Sequence, residues 1–269
     1  MIDKFEKHIC VTQNKITALE CLSENTDFSK QKIKRLMKNG AVWLESIKGI
    51  DRLRRVKKEI VAGDTLHLYY DESVQATVTE PAKLISDQGD YSIWNKPSGM
   101  LSQGSKWGDH CTIYRWAEMY LMPQRPAFIV HRLDKAANGL IIIAHKKSVA
   151  AKFSEMFENH QIYKKYKARV EGSIKDISLP FEIKNYLDDK ESISEVVAIN
   201  PVEENKTDVE IVIKTGRKHQ IRRHLSGLGY PIEGDRLYGA KNLAVDLQLT
   251  AMKIKFKCPV SGEQKEWSL

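Results

Sequence analysis

The residues with the most chemistry to offer run from Ile129 to Leu140: Ile-Val-His-Arg-Leu-Asp-Lys-Ala-Ala-Asn-Gly-Leu. Apolar residues lead in, polar ones fill the middle, and the apolar run Leu140 to Ala144 (LIIIA) leads out. A polar loop between buried strands holds its side chains firmly at a cleft. Asp134 is flanked by Arg132 and Lys135, and neighbouring cations favour the ionised carboxylate. An ionised carboxylate is a nucleophile or a base. A structural Arg–Asp pair is the plainer reading of the same residues. A second dense stretch, Thr215 to Leu225, sets Arg217, Lys218, Arg222, Arg223, His219 and His224 at the start of a helix. Main-chain amides and cations in that position suit phosphate. His219 and His224 are five apart, out of phase for joint metal ligation on one helix face. Gly234 to Gly239 (GDRLYG) reads as a tight structural turn. No Walker phosphate loop, G-x-G-x-x-G, H-E-x-x-H or G-x-S-x-G occurs, so neither a metal nor a nucleotide cofactor is expected.

These loops need elements to position them. LIIIA is a continuous apolar run, the mark of a strand buried on both faces. Ser92 to Asn95 is a short strand ending at the turn Lys96-Pro97-Ser98-Gly99. Val149, Phe153, Met156 and Phe157 recur at helical spacing and predict a helix over 147–160. Val209, Ile211 and Ile213 alternate in a strand; Ile221, Leu225 and Leu228 mark the helix after it, closed by Gly227 or Gly229. Met252, Ile254, Phe256 and Cys258 alternate with lysines, giving a strand with one wet face. Strands outnumber helices and few β-α-β alternations are regular. The expected class is α+β, on a mixed, mostly antiparallel central sheet with flanking helices.

Residues 1–72 differ in composition and are read as a separate small domain. Residues 73–90 are read as a linker and lead-in strand, and 91–269 as a second domain. In the first, Ile16, Leu19 and Leu22 predict a helix over 15–24, and Ile33, Leu36 and Met37 share one face of a helix over 30–39. Lys30, Lys34, Arg35 and Lys38 take much of the rest of that helix. The chain carries 43 Lys and Arg against 35 Asp and Glu, a net +8. Between Phe28 and His67 the count is 11 against 4, a net +7 that includes Arg54 and Arg55. Such a surface suits a polyanion, because each cation placed on a phosphate releases a counterion; a solvated charged face is the alternative. With 42% hydrophobic residues the chain is not of a disordered class. No apolar run of membrane-spanning length occurs, and Met1 to His8 lacks the apolar core of a secretory signal. Cys10, Cys21, Cys111 and Cys258 form no C-x-x-C pair. They are read as reduced, buried thiols of a cytoplasmic protein.

Two resemblances follow. Two short helices, a glycine turn, GAVWLE and a basic stretch running into VAGDTLHLYYD resemble the S4 RNA-binding domain over 13–70. The segments NKPSGMLSQG (95–104), IVHRLDKAANGLIIIAHK (129–146), IYKKYKARVEG (162–172), TGRKHQIRRHLSGLGYPIEGDRLYG (215–239) and LTAMKIKFKCP (249–259) resemble, in this order, the successive motifs of the RluA-type pseudouridine synthases. That likeness spans about 91–259, and an S4 domain ahead of the catalytic domain is a known arrangement in the family. It implies the pseudouridine synthase fold and a reaction in which a uridine in RNA is detached at its glycosidic bond, turned over and rejoined through carbon. By motif position Asp134 is the aspartate that attacks sugar or base, and Arg222 is the arginine that pairs with and orients it. Tyr166, of the K-x-Y motif, packs on the uracil and assists proton removal from carbon. Arg132 enters the space left by the flipped nucleotide, since a base must leave its stack to be reached; His131 is structural. RNA contacts are expected from Arg132, Lys30, Lys34, Arg35, Lys38, Arg54, Arg55, Arg217 and Lys218. Large-subunit ribosomal RNA is the favoured substrate, transfer RNA the alternative, and a monomer without cofactor or membrane association the default. The rivals are a non-catalytic RNA-binding or ribosome-assembly factor on the same fold and a nucleoside glycosidase, which would need a second placed carboxylate. Two positions depart from the family pattern: Ala137-Asn138 stands where Thr-Ser is usual, and Cys258-Pro259 where His-Pro is common.

Overall fold

The computed structural model describes residues 4–174, 177–240 and 244–269; Met1 to Asp3 of the N-terminal stretch read for a signal lie outside them. The chain divides into two compact units, Met1–Val78 with Gln103–Trp116, and Thr79–Ser102 with Ala117–Leu269.

In the first unit, β1 (Lys4–Cys10) and β2 (Ile16–Thr17) precede α1 (Ala18–Asn25). Thr17 and Glu20 start this helix with a capping box, each satisfying the other's amide. The Ser29 hydroxyl accepts from the Lys32 amide and starts α2 (Lys30–Lys38). α2 buries Ile33, Leu36 and Met37, the face read from their spacing, and leaves Lys30, Lys34, Arg35 and Lys38 exposed. There follow β3 (Val42–Ser46), β4 (Gly49–Arg52), β5 (Glu59–Ile60), β6 (Thr65–Asp71) and α3 (Glu72–Ala76). The sheet order is β1-β6-β3-β4, antiparallel at each step. Its core holds Leu22, Ile33, Leu36, Val42, Leu66 and Leu68, and burying each large aliphatic side chain contributes about 1.5–3 kcal/mol.

Gln103–Trp116 packs into this unit, although the composition shift at Tyr91 had placed it with the second domain. Asp109 supplies the reason. Its buried carboxylate is held by Arg54 and the Tyr114 hydroxyl, with Arg52 Nε 3.3 Å away. A buried charge persists where it is paired.

The remaining elements are β7 (Lys83–Asp87), β8 (Tyr91–Lys96), α4 (Ile113–Tyr120), β9 (Phe128–Ile129), β10 (Asn138–Ala144), α5 (Lys147–Glu158), β11 (Tyr163–Glu171), β12 (Phe181–Leu187), β13 (Lys190–Glu203), β14 (Lys206–Ile213), α6 (Gln220–Gly227), β15 (Leu249–Lys257) and β16 (Gln264–Ser268). The strands of the second unit form one 10-stranded sheet along β12-β13-β14-β11-β15-β10-β8-β7, with β16 on β15 and β9 on β10. Among the described residues β10 and β15 are its parallel pair and the other pairings are antiparallel. The mixed, mostly antiparallel α+β sheet expected from the sequence is therefore present. β10, carrying LIIIA, is buried from Gly139 to Ala144. Gly139 is required there: at φ +112° it lies against β15, and a Cβ would fall 2.4 Å from the Ala251 carbonyl oxygen. α5 buries Val149, Phe153 and Met156 against this sheet's core.

Cys21, Cys111 and Cys258 are buried, but Cys10 is exposed, which corrects its reading as a buried thiol. Strand alternation turns Ile9 inward and Cys10 outward on β1. No helix among the described residues is long and apolar enough to cross a membrane.

Candidate active site

The loop 130–137 joins β9 to β10 and is tied down from one side by the turn after β8. Ser102 Oγ donates to the Leu133 carbonyl and accepts the Leu133 amide, at 2.8 and 2.9 Å. Ser98 Oγ donates to the Ala136 carbonyl, and the Gly99 amide to that of Lys135. Lys96 is wholly buried and reaches the carbonyls of Ala137 (2.7 Å), Met100 (2.8 Å) and Pro97 (3.0 Å). Burial pushes this ammonium down to about 7, against the pull of the Asp134 charge. The loop from Leu133 to Ala137 is thus fastened through its main chain, which leaves the Asp134 side chain free for other work.

That side chain meets the start of α6. Asp134 Oδ2 lies 3.4 Å from Arg222 Nη1, and Oδ1 lies 3.7 Å from His219 Nε2. Arg222 is itself gripped from behind: its Nε and Nη2 donate to the two oxygens of Asp235, both at 2.7 Å. Asp235 also accepts the amides of Leu237 and Tyr238. Burial opposes charge on Arg222 and Asp235 alike, but their fork-on-fork pairing prevails, holding the guanidinium up and the carboxyl down. Arg222 stacks over the Tyr238 ring, and the Tyr238 hydroxyl meets His219 Nδ1 at 2.9 Å. Burial lowers His219, outweighing the opposing pull of Asp134. Gln220 shapes the turn before α6: its Oε1 accepts the Thr215 hydroxyl and the Arg217 amide, and its Nε2 donates to Ile193 O and Ser194 Oγ.

Asp134 opens into a cleft of about 650 Å³ that is also lined by Tyr166, Arg132, Arg217, Lys218 and Lys164. Tyr166 projects from β11, and burial together with the Asp134 charge holds its phenol protonated. Ile142 N–H donates to His131 Nε2 at 2.9 Å, and the His131 ring stacks on Phe157. Desolvation and the nearby Lys164 push this imidazole down to about 3, so it is neutral.

The structure therefore brings Asp134, Tyr166 and Arg222 into one cleft, with Arg132, Arg217 and Lys218 on its lining. Lys30, Lys34, Arg35, Lys38 and Arg55 are exposed cations of the first unit. Arg54 differs from them. Its guanidinium is held by Asp109 and the Lys38 carbonyl, so it is a structural cation rather than a free one. Sequence reasoning missed Asp235, read as part of a structural turn, and Tyr238, whose hydroxyl meets His219; His219 was weighed only for a metal, yet it stands 3.7 Å from Asp134. Lys96 was visible as part of a turn, with no signal that its side chain bridges two loops. The two departures are absorbed: Asn138 Oδ1 accepts the Thr250 hydroxyl across the β10–β15 seam, and Ala137 is buried with its carbonyl on Lys96. Cys258 is buried against Tyr91. Among the described residues, no three His, Cys, Asp or Glu side chains are placed to hold a metal ion.

Comparison with known proteins places these features in context. Residues 90–227 match the family model described as RNA pseudouridylate synthase. The chain is 31% identical over 200 residues to the dual-specificity RNA pseudouridine synthase RluA of Escherichia coli, covering 68% of this chain and 90% of that protein. It is 33% identical over 201 residues to tRNA pseudouridine synthase C of Vibrio cholerae, covering 63% and 82%. In fold it is similar to human RNA pseudouridylate synthase domain containing 1, with a TM-score of 0.58 at 20% identity over 72% of this chain and 84% of that one.

Proposed function

Because this chain belongs to the RNA pseudouridylate synthase family and is an RNA pseudouridine synthase, we propose that Asp134 is its nucleophile. The observation that carries this is a cleft carboxylate that accepts from Arg222 Nη1 at 3.4 Å, with His219 Nε2 3.7 Å from its other oxygen. Arg222, anchored by Asp235, fixes the attacking carboxylate and balances its charge. The carboxylate attacks sugar or base, and the bond from C1′ of the ribose to N1 of uracil breaks. Uracil turns over within the cleft. A bond forms from C1′ to C5, the carboxylate is released, the C5 proton leaves and N1 is protonated. The reaction is a balanced isomerisation that takes up no electrons. Tyr166 packs on the uracil. Since its phenol is held protonated, it assists at carbon by passing its own proton on as it receives another. Arg132, exposed at the rim, fills the stack left by the flipped nucleotide, while Arg217 and Lys218 meet phosphates.

The first unit is, in this reading, an S4-like RNA-binding domain. Two capped helices lead into a strand, and the second helix presents Lys30, Lys34, Arg35 and Lys38 to solvent. That basic unit favours large-subunit ribosomal RNA as substrate. Likeness to the transfer-RNA enzyme of Vibrio cholerae supports the second reading, transfer RNA. Carbodiimide mapping of cellular RNA with and without the gene decides between them. A pseudouridine lost from large-subunit rRNA bears the first reading out; one lost from tRNA replaces it with the second.

A further inference from the structure

The cations of β11 differ in fate as they alternate in side. Lys165 pairs with Glu210 at 2.6 Å, Lys167 with Asp208 at 2.8 Å and Arg169 with Asp208 at 2.8 Å. Lys164 and Tyr166 occupy the other side and line the cleft. Among the described residues the Lys164 ammonium has neither a carboxylate partner nor a hydrogen-bond acceptor. What it has is an aromatic shelf: its ammonium stands 5.5 Å from the centre of the Phe157 ring, and that ring stacks on neutral His131 at 4.5 Å. Burial holds the ammonium down at about 8. A desolvated, unpaired cation is unfavourable to keep, and an apolar side chain would line the wall better. An anion arriving with the substrate would supply the partner it lacks.

We propose that Lys164 binds a phosphodiester of the RNA, the phosphate adjoining the uridine presented to Asp134. This rests on the reading of the cleft as the RNA site. Two residues along a strand span about 6.8 Å, so Tyr166 meets the base while Lys164 meets the backbone one sugar away. Phe157 steadies the cation from behind, and His131, being neutral, adds no competing charge to the shelf.

The test uses the full-length protein with unmodified large-subunit rRNA and tRNA transcripts, measuring affinity over a salt series alongside wild-type conversion. Lys164→Met is expected to weaken binding about tenfold and to lower the salt slope by about 0.7–0.9, the share of one phosphate. Its thermal midpoint stays at or above wild type, since an unpaired, half-buried charge is removed. Lys164→Arg retains affinity and slope. Lys165→Met, on the opposite side and already paired, leaves both at wild type. An unchanged affinity and slope in Lys164→Met overturns the proposal. Weaker binding with an unchanged slope also overturns it, assigning Lys164 to the base instead. If the wild type converts no uridine in either transcript, it is the substrate reading that falls.

Discussion

The cations of α2 and Arg222 of the cleft carry the same charge in opposite surroundings. On α2, Lys30, Lys34, Arg35 and Lys38 are exposed and have no ion-pair partner among the described residues. In the second unit Arg222 is buried and meets two carboxylates, one from a turn and one from the loop that carries the proposed nucleophile. An unpaired exposed cation serves a mobile polyanion, through counterion release and without fixed geometry. A paired buried one serves a single side chain, through geometry, and is destabilising once its partner is gone. Placement rather than residue type decides whether a charge binds a ligand or builds a site.

The largest break in this comparison comes from the buried side. Arg222→Met leaves Asp235 buried without its guanidinium and Asp134 without its orienting partner. Unfolding free energy is expected to fall by about 3–5 kcal/mol in denaturant titration, and pseudouridine formation by more than 100-fold where the protein still folds. On the exposed side, changing Lys30, Lys34, Arg35 and Lys38 together to Gln should leave stability and saturated turnover near wild type. The slope of log affinity on log salt should flatten by about 3 units. An unchanged slope would make α2 a solvated face only.

His131 sharpens the contrast as a potential cation denied its charge. Its folded value of about 3 lies below the ordinary 6.5, so between those values the unfolded chain binds the extra proton. Stability should therefore fall as pH drops from 6.5 toward 3, by about 1 kcal/mol per pH unit from this group. His131→Gln should remove that share of the acid sensitivity in thermal or denaturant melts. The finest cut is within one short segment. Arg54→Met should cost about 1–3 kcal/mol of stability by leaving Asp109 under-paired, with the salt slope unmoved. Arg55→Met, whose side chain is exposed, should do the reverse.

Much of this was legible in the sequence, where periodicity reports faces. LIIIA is the buried central strand, Ile33, Leu36 and Met37 are the buried face of α2, and Val149, Phe153 and Met156 that of α5. The meeting of Asp134, Tyr166 and Arg222 followed from motif likeness, because nothing local in the chain links a loop at 134 to a helix at 222. What escaped were partnerships across distance. Asp235 looked like one residue of a turn, and its hold on Arg222 leaves no periodic trace. Gln103–Trp116 was assigned by neighbourhood, yet its fold is decided by Asp109 finding Arg52 and Arg54, more than 50 residues earlier. Cys10 was misread for a related reason: a strand has two sides, and an apolar-looking segment does not say which residue takes which.

The central claim is that Asp134 acts through its carboxylate chemistry while Arg222 and Asp235 hold it in place. Asp134→Asn preserves shape and removes the charge. Conversion of the mapped uridine by purified wild-type and Asp134→Asn protein, each with its thermal midpoint and RNA affinity measured, tests the claim most directly. The account predicts a loss of at least about 1,000-fold in rate, with melting and binding close to wild type. A variant that melts and binds normally and still converts uridine within about tenfold of the wild-type rate would contradict it.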